Sequence, residues 1–399
     1  MGLERNLRFQ RLSVELQSEV SAPNHSAALL STSSQKLPST NSNLVTSLPA
    51  QSNLADMAPR LTSGSSSALD TPPSGASGLV MSSPRIAVAG SLVADLCVWV
   101  PHFPLPDETL PASRFEMHPG GKGFNQALMA QRAGAEVSMI GRVGQDPFAD
   151  PFFELMNTEG IRSSEVTRDP DSGTSLGIPM ITPDGDNSII LISRANQRLS
   201  RSDIERAAPE IARSSALLLQ GEVPIATSMA AAQEAREHDT LVLLNPAPAH
   251  PDFASLLADP AGGADWLIPN EIEASALLSQ PISTPGQALN AARKLLEWKP
   301  RSGVIVTLGS QGAVCATGDD SWHARPFRID PRDPTGAGDA FCGAFAFSLC
   351  VGRSPREALR FAMAAGALSA TIPGATPSLP RSPAIEDLMA RQPTGGTPE

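Results

Sequence analysis

From residue 85 onward, short β-rich apolar runs alternate with amphipathic stretches of about ten to sixteen residues, and that rhythm constrains the fold more than any other feature. Runs that are apolar throughout, rather than at every second position, suit strands covered on both faces by helices. The strand candidates are Ile86–Gly90, Val137–Gly141, Ala216–Leu219, Leu241–Asn245, Trp266–Ile268 and Val304–Leu308. Between and after them the pattern predicts helices over Gly123–Ala133, Phe148–Glu159, Ser202–Ala212, Pro224–His238, Pro285–Trp298, Gly338–Val351 and Pro355–Thr371. The expected architecture is an α/β fold with a doubly wound, mostly parallel sheet flanked by helices. Two stretches, about 96–117 and 175–193, break the alternation and read as hairpins, the second turning at Pro183-Asp-Gly-Asp-Asn187. They predict a small inserted β-sheet that serves as a lid, a dimer surface, or both.

Residues 1–84 differ in kind. They are crowded with Ser, Thr, Pro, Asn and Gln and contain a single aromatic, Phe9, so they lack the apolar surface needed to offset ordering entropy. We expect a disordered extension, a folded domain over 85–391 and a flexible tail over 392–399. Arg5, Arg8 and Arg11 among leucines suit an organelle-targeting helix, but Glu4, Glu15 and Glu19 do not. A start at Met81 is the alternative. The formal charge of −11, a total lack of Tyr and 4% aromatics exclude a nucleic-acid footprint. Cys97, Cys315, Cys342 and Cys350 form no metal-binding spacing. With no apolar run long enough to span a bilayer, a cytoplasmic protein without a membrane partner is expected.

Five glycine-marked segments fall after predicted strands, where doubly wound sheets place their ligands. In Asp333-Pro-Thr-Gly336-Ala337-Gly338-Asp339-Ala-Phe341, glycines precede a helix whose first amides form an anion hole, and Asp339 is placed to take a proton from an alcohol. A capped helix start explains the same residues equally well. His118-Pro-Gly-Gly121-Lys122-Gly-Phe-Asn125-Gln126 is not a phosphate-binding Walker loop, because no hydroxyl follows the lysine. It reads as a polyol pocket or as a plain loop-to-helix turn. Gly90-Ser-Leu-Val93-Ala-Asp95, Pro269-Asn270-Glu-Ile-Glu273 and Thr307-Leu-Gly309-Ser310-Gln-Gly312 complete the set. Their convergence points to a two-substrate site, for a nucleotide and a small polar molecule.

The Gly-Gly-Lys-Gly-x-Asn-Gln run at 120–126 and the Asp-x-Thr-Gly-Ala-Gly-Asp-Ala-Phe run at 333–341 together resemble the two signatures of the ribokinase, or PfkB, carbohydrate kinases. Asn245-Pro-Ala-Pro-Ala249 and Gly374-Ala-Thr-Pro-Ser378 extend the likeness, which runs from about Arg85 to Pro383. The resemblance implies ATP-dependent phosphorylation of a sugar hydroxyl, best D-ribose at its primary hydroxyl, with Asp339 as base and Gly336, Ala337 and Gly338 as anion hole. It implies a sugar site of Asp95, Gly121, Lys122, Asn125 and Glu222, and an ATP site of Asn270, Thr307, Gly309, Ser310, Gly312 and Gly338. Glu273 would organise Mg2+ through its waters, and Asp333, Thr335, Ser369, Ile372, Gly374 and Ser378 would hold an activating K+. A homodimer is the family expectation. Val93 stands where the family usually has Asn, which opens the acceptor to another pentose, a ketohexose, a sugar acid or a nucleoside. Phe124 either narrows the pocket or faces the core. A catalytically silent sugar-binding protein keeps the fold without the chemistry. A dinucleotide dehydrogenase lacks its G-x-G-x-x-G turn.

Overall fold

The apolar run Arg85–Ala89 forms the first strand, β1, and its last four residues are all buried. The computed structural model describes residues 83–259 and 263–397, so the expected N-terminal extension up to residue 82 lies outside the described residues. Next come β2 (Val93–Trp99), β3 (Arg114–Gly120), helix α1 (Lys122–Ala133), β4 (Glu136–Gly144), α2 (Asp150–Glu159), β5 (Arg162–Asp169), β6 (Ser175–Ile181) and β7 (Asn187–Ile192). Strict alternation follows with α3 (Arg201–Ala212), β8 (Ala216–Leu219), α4 (Ile225–Glu237), β9 (Leu241–Leu244), α5 (Phe253–Ala258) and β10 (Trp266–Leu267). The remainder holds α6 (Glu271–Leu278), α7 (Pro285–Leu296), β11 (Gly303–Thr307), β12 (Ala313–Ala316), β13 (Ser321–Ala324), α8 (Ala337–Cys350), α9 (Pro355–Ser369), α10 (Ala375–Ser378) and α11 (Ser382–Arg391).

Nine strands form the main sheet in the order β13-β12-β11-β10-β9-β8-β1-β4-β5. All its pairings are parallel except β11 with β12 and β12 with β13. Alternate residues of one strand feed different cores. Ile86 and Val88 pack with Phe124, Phe345 and Phe361 of α1, α8 and α9, whereas Ala87 and Ala89 join Ile204, Ile211, Leu256 and Leu295 of α3, α5 and α7. That two-sided burial is the physical content of a doubly wound sheet. The chain reverses its direction of growth at β1, which lies between β8 and β4. The crevice beyond the carboxyl ends of these strands is where such sheets bind ligands.

The two hairpin stretches do form a second sheet, of order β3-β2-β6-β7, with β2 and β6 parallel and the outer pairs antiparallel. It starts only three residues beyond β1 and so stands next to the crevice. In its edge strand β7, Ile189, Ile190, Leu191 and Ile192 are all exposed. Side chains of successive strand residues point to opposite faces, so neither face of this apolar edge is covered.

The stretch from Gln392, expected as a loose tail, is tied down as far as Thr397. Gln392 exchanges hydrogen bonds with the Arg328 backbone, Gly396 N–H donates to the Arg325 carbonyl at 2.7 Å, and Arg360 donates to the Gly395 carbonyl. Gly395 makes this possible, because a Cβ there would approach the Phe327 ring to 2.5 Å. Among the described residues, no helix is long and apolar enough to cross a membrane.

Candidate active site

Asp339 sits in the first turn of α8, whose N-cap Gly336 has φ 80. A side chain is excluded at Gly336 because its Cβ would come within 3.0 Å of the Ala375 Cα, and the positive φ suits only glycine without strain. Asp339 is buried and receives two side-chain hydrogen bonds from one turn of α1. Asn125 Nδ2 donates to Oδ2 at 2.9 Å and Gln126 Nε2 donates to Oδ1 at 3.1 Å. Gly343 lets the two helices approach this closely, since a Cβ there would lie 2.5 Å from the Gln126 carbonyl oxygen. Gly338 has open space on its Cβ side and faces the cleft. The Ala337 amide departs from expectation: it donates to the Pro334 carbonyl at 3.1 Å. The turn that lifts Gly336 into its left-handed conformation uses this amide to close itself.

Next to Asp339 a cleft of about 220 Å³ is lined by Lys122, Asn245, Asn270, Glu273, Thr307, Gly336, Gly338, Asp339 and Cys342, among others. Burial works against the charge on Lys122, but Asp339, Glu222 and Glu273 surround it with negative charge and hold it firmly protonated. Glu222 is fixed by the Ser91 hydroxyl at 2.5 Å and the Lys122 amide at 3.0 Å. Burial, with Glu222 and Asp339 adding repulsion, raises the Asp95 carboxyl to about 7. Its two oxygens sit over Gly120 and Gly177, where any Cβ would overlap them. Burial likewise raises Glu273, and the buried Cys342 thiol is pushed well above its ordinary value. Cys342 is therefore a neutral wall of the cleft and not a nucleophile.

Phe124 faces the core: it is fully buried and meets Phe152 edge-on, ring centroids 5.0 Å apart. It does not narrow the pocket expected for a sugar around Asp95, Gly121 and Lys122. Val93 does border it, since a Cβ on Gly121 would lie 3.1 Å from Val93 Cγ2 and one on Gly177 would lie 3.3 Å from Cγ1.

Asn270 and Glu273 cap α6 reciprocally, each side chain accepting the other's backbone N–H, at 2.7 and 2.9 Å. A parallel bridge to Thr307 brings the end of β11 alongside. Gly309 and Ser310 continue into an exposed turn, and neither they nor Gly312 line the cleft. The proposed cation residues come from two loops laced together. Asp333 accepts N–H bonds from Thr335 and Gly374 at 2.9 and 2.8 Å, and Ser369 and Ser378 share a hydrogen bond at 2.7 Å. The Ala370 carbonyl accepts from both Arg332 and Asp333.

Reasoning from sequence gave no role to Gln126, Asn245, Gln220, Ser91 or Gly177. Gln126, Asn245 and Ser91 lie inside the quoted motifs and were readable as candidates. Gln220 carries a signal too, a polar residue closing the apolar run Ala216–Leu219 one position before Gly221. Gly177 carries none, because only the pairing of β2 with β6 sets it opposite Asp95.

Comparison with known proteins agrees with this geometry. Residues 83–382 match the pfkB family carbohydrate kinase model. A deoxyribokinase of Salmonella typhi is 36% identical over 74% of this chain and 95% of its own length. The Bacillus subtilis ribokinase is 34% identical, over 77% and 99%. The Thermotoga maritima ribokinase structure superposes with a TM-score of 0.69 at 31% identity, covering 77% of this chain and 99% of that one. The Arabidopsis thaliana ribokinase, solved with ribose and ATP, gives 0.68 at 30% over the same shares. With both signatures converging on one buried carboxylate and the family model spanning 83–382, the chain belongs to the pfkB family of carbohydrate kinases.

Proposed function

We propose that the protein transfers the terminal phosphoryl group of ATP to the primary hydroxyl of D-ribose. The observation that carries this reading is the Asp339 carboxylate, buried at a helix N-terminus and lining one cleft with Lys122, whose charge it supports. Asp339 accepts the hydroxyl proton as the sugar oxygen attacks phosphorus, while Lys122 and the amides of Gly338 and Asp339 balance the charge that develops on the phosphoryl oxygens. The buried Asn125 Oδ1 has no hydrogen-bond partner among the described residues, and a sugar hydroxyl is the donor that would satisfy it. Asp95 and Glu222 offer further acceptors to a polyhydroxy ligand.

Mg2+ bound with ATP would neutralise phosphate charge, and Glu273, lining the cleft with Asn270, is the carboxylate placed to hold its waters. A K+ site is proposed between the two laced loops. Asp333 carries two N–H bonds there and keeps lone pairs for a cation, and Thr335, Ser369, Ile372, Gly374 and Ser378 would complete the shell through hydroxyls and carbonyls. We further propose a homodimer through the small sheet, supported by the uncovered apolar strand β7. An exposed strand edge of this kind seeks a partner. Light scattering at micromolar concentration is expected to give twice the chain mass, and a monomer would remove the proposal.

A second reading has its own support. Val93 puts an apolar side chain against the sugar cradle, which favours an acceptor with one hydroxyl fewer, and a 36% identical relative is a deoxyribokinase. The test is ADP release with ribose, 2-deoxyribose, fructose, sugar acids and nucleosides, each with and without potassium. Ribose turnover stimulated by potassium is expected, and its absence overturns the first reading. Val93→Asn should raise the ribose to 2-deoxyribose ratio of kcat/KM by about 3- to 10-fold, the worth of one added neutral hydrogen bond. An unchanged ratio would show that this wall does not choose the acceptor.

A further inference from the structure

We infer that Gln126, Asn245 and Gln220 form an amide chain of fixed polarity whose function is to aim N–H donors at Asp339, which makes Gln126 and Gln220 positioning residues for the catalytic base. The inference rests on the reading of Asp339 as that base.

A primary amide has two ends of nearly equal size, one donating and one accepting, and either could face a neighbour. Here one end of the chain removes the choice. The Ile268 carbonyl can only accept, so Asn245 must turn its NH2 group to it, at 2.7 Å. Asn245 Oδ1 then faces Gln126, which must answer with its own NH2 group, at 3.2 Å. The second hydrogen of that group reaches Asp339 Oδ1 at 3.1 Å. Gln126 Oε1 is left to accept from Gln220 Nε2 at 2.8 Å. Four groups from α1 and from the exits of β8, β9 and β10 thus share one sense of donation.

The far end argues that polarity, not packing, is what these residues supply. Gln220 Oε1 is buried with no partner among the described residues, and Gly90 closes over it so tightly that a Cβ there would overlap it. A buried polar atom left unpaired costs about 1–3 kcal/mol. Leu or Met would fill the same space without that cost. Retaining Gln220 makes sense if its NH2 group is needed to hold Gln126 Oε1, and through it to keep the Gln126 NH2 group facing Asp339.

The chain is tested in the full-length protein with Gln126→Met, Gln126→Glu and Gln220→Met, reading kcat and KM for ribose and MgATP separately. Gln126→Met is expected to lower kcat about 10- to 100-fold, the scale of a misaimed reacting group, with both KM values within about 2-fold of wild type. Gln126→Glu should be worse than Gln126→Met, because it sets a carboxylate against Asp339. Gln220→Met, which leaves the Gln126 NH2 group between Asn245 and Asp339 but removes the donor that anchors its Oε1, should lower kcat about 3- to 10-fold, and it keeps the test open where a Gln126 variant fails to fold. Wild-type kcat in Gln220→Met, or a loss confined to KM, overturns the chain. Should Asp339→Asn itself retain activity, the reading of the base fails instead, independently of the chain.

Discussion

Asp339→Asn should lower kcat by about 10²- to 10⁴-fold, the usual worth of a positioned general base, while MgATP still binds with nearly its original affinity. The substitution keeps shape and removes charge. Asn125 Nδ2 and Gln126 Nε2 both donate to the carboxylate, and an asparagine can offer an oxygen to only one of them. Its NH2 group must face the other donor, so a modest loss of stability, about 1 kcal/mol, accompanies the loss of activity. Lys122 would also lose the strongest of the negative neighbours that keep it protonated. Steady-state kinetics beside nucleotide titration by calorimetry separate these effects. Activity within a few-fold of wild type in a correctly folded variant would remove Asp339 from the mechanism.

The residues around the Asp339 cleft were legible because bringing backbone close to a cleft demands unusual local sequence. Glycines at positive φ flank Asp339 and Lys122, and such positions stand out in any chain. The main strands were legible for the opposite reason, since Ile86–Ala89, Ala216–Leu219 and Leu241–Leu244 are apolar throughout and lie between two helical layers. β5 was not. It is one of the two edge strands of the main sheet, reads Arg-Ser-Ser-Glu-Val-Thr-Arg-Asp, and buries only part of its length, so no apolar period marks it. β12 and β13, four residues each, are too short to show one. The remaining blind spot is cross-strand. The Gly177 register and the amide chain through Gln220 and Asn245 join residues far apart in sequence, and only their pairing in space reveals them.

Asp95→Asn should produce a protein that is more stable and less useful. Asp95 has an ordinary value of 3.8 that burial, with Glu222 and Asp339 nearby, raises to about 7. Between these two values the folded protein holds a proton that the unfolded chain has released. The contribution of Asp95 to stability therefore falls as pH rises from about 4 to about 7 and levels off above, the sign expected when the native state binds more protons. The asparagine carries no such cost, so its advantage should be near zero at pH 4 and reach about 2–4 kcal/mol by pH 8. Urea denaturation of both proteins at pH 4.5 and pH 8 measures it, and equal stability at both pH values would refute the account. Sugar handling should move the other way. An ionised Asp95 can accept two hydroxyl donors between Gly120 and Gly177, whereas an amide accepts at one end only. Acceptor KM should rise by about 10- to 10²-fold, the scale for one hydrogen bond lost to a charged group. In wild type the same KM should fall as pH rises towards 7, because the ionised carboxylate accepts hydroxyl donors from the acceptor more strongly than the protonated form does. On the proposed role of Asp95, the unfavourable burial of its charge and its affinity for hydroxyl donors have one cause: a carboxylate kept from water gains most from the hydroxyls that replace it.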